Sequence, residues 1–121
     1  MIRLGMVIVR GRSMLPTLRD GDRLLVGYGV RPRPGRLVLC DLPPDADGTP
    51  RPLSVKRLAG PAQQHGLNGP GWWVERDNPA EGVDSWLVGA LEPAAIRAVV
   101  LCRLPPRLPL RPERVPSLPP A

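Results

Sequence analysis

Proline recurs 18 times in the 121 residues of this chain, and that one feature constrains the fold more than any other. Each proline removes a backbone donor and collides with the preceding turn of a helix, so a long helix is disfavoured almost everywhere. Short strands joined by loops are what such a chain can build. Apolar, β-branched runs predict strands at Met6–Val9, Arg23–Val30, Arg36–Leu42, Leu53–Leu58, Trp72–Glu75 and Val99–Leu104, with one helical turn within Leu91–Ile96 after Glu92-Pro93. Residues 43–52 and 60–71 read as Gly/Pro-rich loops, and 77–84 as another loop. Without regular strand–helix alternation, the expectation is a mostly β, antiparallel, single small domain over residues 1–104. Residues 105–121 form a proline-dense tail, expected as polyproline II or disorder.

The stretch Gly11–Val26, GRSMLPTLRDGDRLLV, reads as strand end, bend and new strand. Pro16 pushes Leu15 out of the helical region, so the chain after Ser13 cannot run on as a helix. A bend of this kind can hold a hydroxyl and its own backbone N–H toward one cleft, as a nucleophile requires. Met14 and Pro16 are the neighbours expected to line that cleft.

The second piece is Leu53-Ser54-Val55-Lys56-Arg57-Leu58. Of the 17 basic residues, 16 are arginine and one, Lys56, is lysine. Arginine stays protonated at any ordinary pH, whereas an amine desolvated among apolar neighbours can lose its proton and act as a base. An unperturbed lysine, pKa ~10.4, is neutral in only about one molecule in 2,000 near pH 7, so the surroundings of Lys56 must be dry. Ser54 falls on the same strand face by alternation.

These boxes, SMLPTL followed by a Gly-Asp turn, SVKRLAG, Asp77-Asn78 and Asp84-Ser85, resemble those of the signal-peptidase-like serine peptidases, which use a Ser/Lys dyad. Within that group, the short chain and the segment WWVERDNP look most like the nickel-type superoxide dismutase maturation proteases. The resemblance spans roughly residues 5 to 104. It implies a signal-peptidase/LexA-like β fold, Ser13 as nucleophile, Lys56 as base, and Asp77, Asn78, Asp84 and Ser85 as supporting residues. It also implies a protein precursor as substrate, bound as an extended peptide and relieved of an N-terminal propeptide; no cofactor is expected, and one histidine with two cysteines far apart in sequence argues against a metal site.

The chain departs from the family pattern at three places. Arg76 stands for the usual glycine before Asp77, and Trp86 for the usual arginine after the Asp-Ser pair. Gly82 stands where a serine often bonds the lysine amine, which leaves Ser54 or Ser85 to orient Lys56. Gly11 occupies a position where some relatives carry an oxyanion-hole serine, so the hole is expected to rest on backbone N–H groups, chiefly that of Ser13.

Net charge of +6 suits nucleic acid or an acidic partner. The arginines are scattered and not interleaved with aromatic residues, which argues against nucleic acid. Met6–Val9 is far short of the ~20 apolar residues that span a bilayer, so no transmembrane anchor and a soluble, cytoplasmic protein are expected. Cys40 and Cys102 sit in apolar runs and are expected as buried free thiols. His65 falls in a Gly-rich loop and is expected to have no role, while one of Trp72 and Trp73 is expected at the groove wall. Three other readings compete: a LexA-type self-cleaving regulator, a signal peptidase I-like enzyme acting on another precursor, and a non-catalytic basic binding module. The twelve residues before Ser13 hold no Ala-Gly cleavage pair, which counts against self-cleavage.

Overall fold

The computed structural model describes residues 1–105; the proline-dense segment 106–121 lies outside them. Six antiparallel strands make one sheet: β1 (Arg3–Ile8), β2 (Arg23–Tyr28), β3 (Leu37–Cys40), β4 (Ser54–Pro61), β5 (Trp72–Glu75) and β6 (Ile96–Leu104). Their spatial order is β1-β2-β6-β3-β4-β5, so β1 and β5 are the edges. A single helical turn, α1 (Ser85–Val88), and two 3-10 turns, Ala62–His65 and Pro93–Ala95, complete the elements. The protein is thus mostly β, and the expected fold class is observed.

The central strands are apolar on both faces, which is why their sequences read as continuous hydrophobic runs instead of alternating ones. On one side Leu39, Val55, Ala98 and Val100 meet Leu24 and Val26, and Met14 and Leu18 from the β1–β2 loop close that cluster. On the other, Val38, Cys40, Leu58, Val74 and Val99 meet Leu42 and Leu91. Fully burying side chains of this size contributes about 1.5–3 kcal/mol each. Val7 and Val9, at the end of β1, line the same cavity as Leu39 and Val55, although three strands separate β1 from β4 in the sheet. The sheet is therefore strongly coiled, and its curvature brings the β1–β2 loop over β4.

Several bounds differ from the reading of the sequence: β1 runs from Arg3 to Ile8, β6 begins at Ile96, and β2 and β3 are shorter than expected. β4 continues through Gly60-Pro61, residues that look like the start of a loop; an irregularity between Leu58 and Gly60 lets β5 follow it there. Residues 85–88 form a helical turn because the Asp84 carboxylate accepts the Trp86 N–H at 3.1 Å as an N-cap. No helix of the described residues is long and apolar enough to cross a membrane.

Candidate active site

The loop between β1 and β2 is tied at its neck, where Val9 N–H donates to Asp22 O and Gly21 N–H donates to Val9 O, each at 2.8 Å. Within it the chain turns sharply, with Leu15 N–H donating to Arg12 O and Leu18 N–H to Met14 O. Met14 is 2 % exposed and anchors the turn in the core. Ser13, beside it, is half-buried and faces β4.

Lys56 meets it there. The Lys56 Nζ and Ser13 Oγ atoms are 2.7 Å apart, although 43 residues separate them along the chain. Lys56 is 3 % exposed and makes no other hydrogen bond among the described residues. Burial is the main cause that lowers its pKa from the ordinary 10.5; Asp84 pulls it back upward and the Arg76 guanidinium pushes it further down. The nearby Cys40 thiol is pushed up to about 12 by its own burial, so near neutrality it carries no charge that would hold an ammonium in place. At this distance an amine that has lost its proton can accept one from the serine hydroxyl.

The segment 76–84 grips the serine loop from the other side. Asn78 N–H donates to Ser13 O, and Asn78 Nδ2 donates to Arg12 O, both at 2.9 Å. Asp77 receives Arg57 in a two-pronged pair, 2.9 Å from Nε and 2.7 Å from Nη2, and also accepts the Thr17 hydroxyl at 2.6 Å. These bonds hold the Asp77 carboxyl below its ordinary value. Thr17, Asp77 and Arg57 thus tie the serine loop to the lysine strand. Gly82 lies against Ser13 itself: a Cβ there would overlap Ser13 Cβ, and Gly82 sits at φ +111. Arg76 holds this segment in shape, with its side chain donating to Asn78 O and Pro79 O and its backbone N–H to the Asp84 carboxylate.

Neither hydroxyl expected to orient Lys56 does so. Ser54 donates to Pro52 O and Ser85 accepts the Val74 N–H. Ser85 instead joins α1 to β5, while the amine is positioned by the walls around it and by Ser13. Gly11 offers no donor to an oxyanion, since its N–H goes to the Asp20 carboxylate at 2.7 Å. The Ser13 N–H has no partner among the described residues and is free for that use.

Beside Ser13 runs a small groove of about 230 Å³, walled by Val7, Val9, Met14, Leu53 and Val55. Met14 is at the groove as expected. Pro16 is not: it is exposed and lines a neighbouring, larger cavity, because the turn after Met14 carries it away. Neither Trp72 nor Trp73 reaches the groove either. Trp72 packs against the second core cluster, and Trp73 stacks on His65, ring centroids 4.3 Å apart, with Trp86 edge-on at 5.2 Å. His65 thus has a packing role that a Gly-rich setting concealed. Cys40 is buried and Cys102 exposed, both free; β6 turns Cys102 outward beyond the covered part of the sheet.

The roles of Thr17, Arg57 and Arg76 were not read from the sequence. Arg57 and Thr17 lie inside the two boxes, and no local signal joins either of them to Asp77. Comparison of the chain with protein-family models and with curated proteins gives no match.

Proposed function

We propose that the protein is a serine endopeptidase working through a Ser13/Lys56 dyad. The observation that carries this reading is the 2.7 Å approach of a buried amine to a hydroxyl on a bend. Uncharged Lys56 takes the Ser13 proton as the oxygen attacks the scissile carbonyl, and the Ser13 N–H donates to the oxyanion. The C–N bond breaks as Lys56 returns that proton to the leaving amine, leaving an ester on Ser13. Lys56 then deprotonates a water, which attacks the ester and restores the serine. A peptide lies extended along the groove between the ends of β1 and β4, with small apolar side chains in it.

For the substrate we propose a protein precursor that loses an N-terminal propeptide, a nickel superoxide dismutase precursor being the one that the sequence boxes suggest. The test is to incubate the protein with such a precursor and follow the mass of the product. Ser13→Ala and Lys56→Met should each slow cleavage by at least about a thousandfold while leaving the fold intact. Cleavage by either variant at the parental rate would end the dyad assignment.

A further inference from the structure

Next to the groove at Ser13 is a much larger cavity, about 1120 Å³. Arg10, Arg19, Arg23 and Arg103 line it, with Asp22 as the one carboxylate among its lining residues. Arg23 is occupied, donating to Pro105 O at 2.7 Å, and Arg103 lies 3.7 Å from Asp22. The guanidinium groups of Arg10 and Arg19 make no ion pair or hydrogen bond among the described residues. The closed neck of the loop is what gathers these charges, since it sets Arg10 and Arg19, which leave and re-enter the sheet, next to the ends of β2 and β6.

This cavity adjoins the groove at Ser13, since Ile8 and Arg10 line both. We propose that it binds an acidic peptide segment, which the substrate carries on one flank of its cleavage site. The apolar groove has room for small side chains and offers little to distinguish one precursor from another; guanidinium groups with unused donors select carboxylates by charge and by two-pronged geometry. Single-strand binders add aromatic side chains on which bases stack, and no aromatic residue lines the cavity. The chain after Pro105 adds Arg107, Arg111 and Arg114 against Glu113, so its charge is of the same sign as the cavity.

The identity of the ligand as substrate rests on the protease reading, but binding is measurable without it. A fluorescein-labelled Gly/Ser peptide bearing several glutamates is titrated by anisotropy into the full chain and into Ser13→Ala, beside its glutamine counterpart and a single-stranded DNA oligonucleotide. The glutamate peptide should bind at least about tenfold more tightly than the glutamine one at low salt, where charges act over about 10 Å or more. Arg19→Gln with Arg103→Gln should weaken it by about tenfold, the effect of two ion pairs. Arg31→Gln with Arg33→Gln removes the same charge from the exposed β2–β3 turn and should change it by less than about twofold. Melting curves establish that both double variants fold; if the cavity pair melts early, Arg10→Gln alone is used and should weaken binding severalfold. Equal losses in the two double variants, equal binding of the glutamine peptide, or tighter binding of the oligonucleotide would overturn the inference. Loss of the protease reading looks different: no cleavage of any precursor, with the glutamate preference intact.

Discussion

Gly82 stands with its α-carbon against the side chain of Ser13, so close that a Cβ on residue 82 would occupy the space of Ser13 Cβ. The residue is also at φ +111, where only glycine is comfortable. Putting a serine at this position therefore does not give Lys56 a new partner; it displaces the Ser13 side chain. Gly82→Ser should lower kcat/KM by about tenfold to a hundredfold, the cost of moving a reacting atom by about an ångström. The check is precursor cleavage beside a melting curve, and full activity in a folded Gly82→Ser would contradict the contact.

The lysine sets the pH response, and its sign is fixed. Burial lowers the Lys56 pKa below the ordinary 10.5, so in the window between the two values the unfolded chain binds more protons than the folded one. Stability then rises with pH through that window, and is lower where the buried amine is charged. Activity should rise in the same direction, with a midpoint below 10.5 in a pH profile of kcat/KM. Lys56→Met should flatten the stability profile over this range and melt higher than the parent near neutrality, while abolishing cleavage.

Arginine in place of the lysine separates charge from basicity. Lys56→Arg keeps the positive charge but cannot deprotonate, and cleavage should fall by about a hundredfold to ten-thousandfold, the range for losing a general base. Retention of activity would mean that the residue serves only as a cation.

Asp77 links the two halves of the site through Arg57 and Thr17. Asp77→Ala should lower stability by about 1–2 kcal/mol, since the Arg57 end of the pair is partly solvated, and should lower kcat more than it raises KM. The Asp77 carboxyl is held below 3.8; its contribution is complete above that value and is lost as pH falls through the folded pKa. Acid denaturation of Asp77→Ala should accordingly be less steep in that range than that of the parent.

The two thiols should react very differently. Cys102 is exposed and Cys40 is buried with its pKa pushed up to about 12. Iodoacetamide on the native chain should add one label, on Cys102, and a second only after unfolding; prompt labelling of Cys40 would show that the wall of the lysine pocket opens.

Much of this was legible before any coordinates. The sequence predicts Trp72–Glu75 with both ends as observed because loops bound it on either side, and Lys56 stands out as one amine in a chain of arginines. The Ser13 bend was signalled by Pro16. What stayed hidden depends on contacts between distant segments. Nothing local marks Gly82 as the surface behind Ser13, and Ala59-Gly60-Pro61 resembles a breaker although an irregular pairing with β5 carries the strand through it. His65 sat among glycines, and its stacking on Trp73 depends on where β5 ends up. Ser54 shares a face with Lys56, as alternation requires, yet its hydroxyl had a nearer acceptor in Pro52.

Lys56 belongs to β4, flanked by β3 and β5, whereas Ser13 belongs to a loop fastened at its neck and by Asn78. One half of the dyad is bedrock and the other is a latch. A ligand that prised the latch outward would part Ser13 from Lys56 without touching the lysine, but it would also draw Met14 and Leu18 out of the core they close.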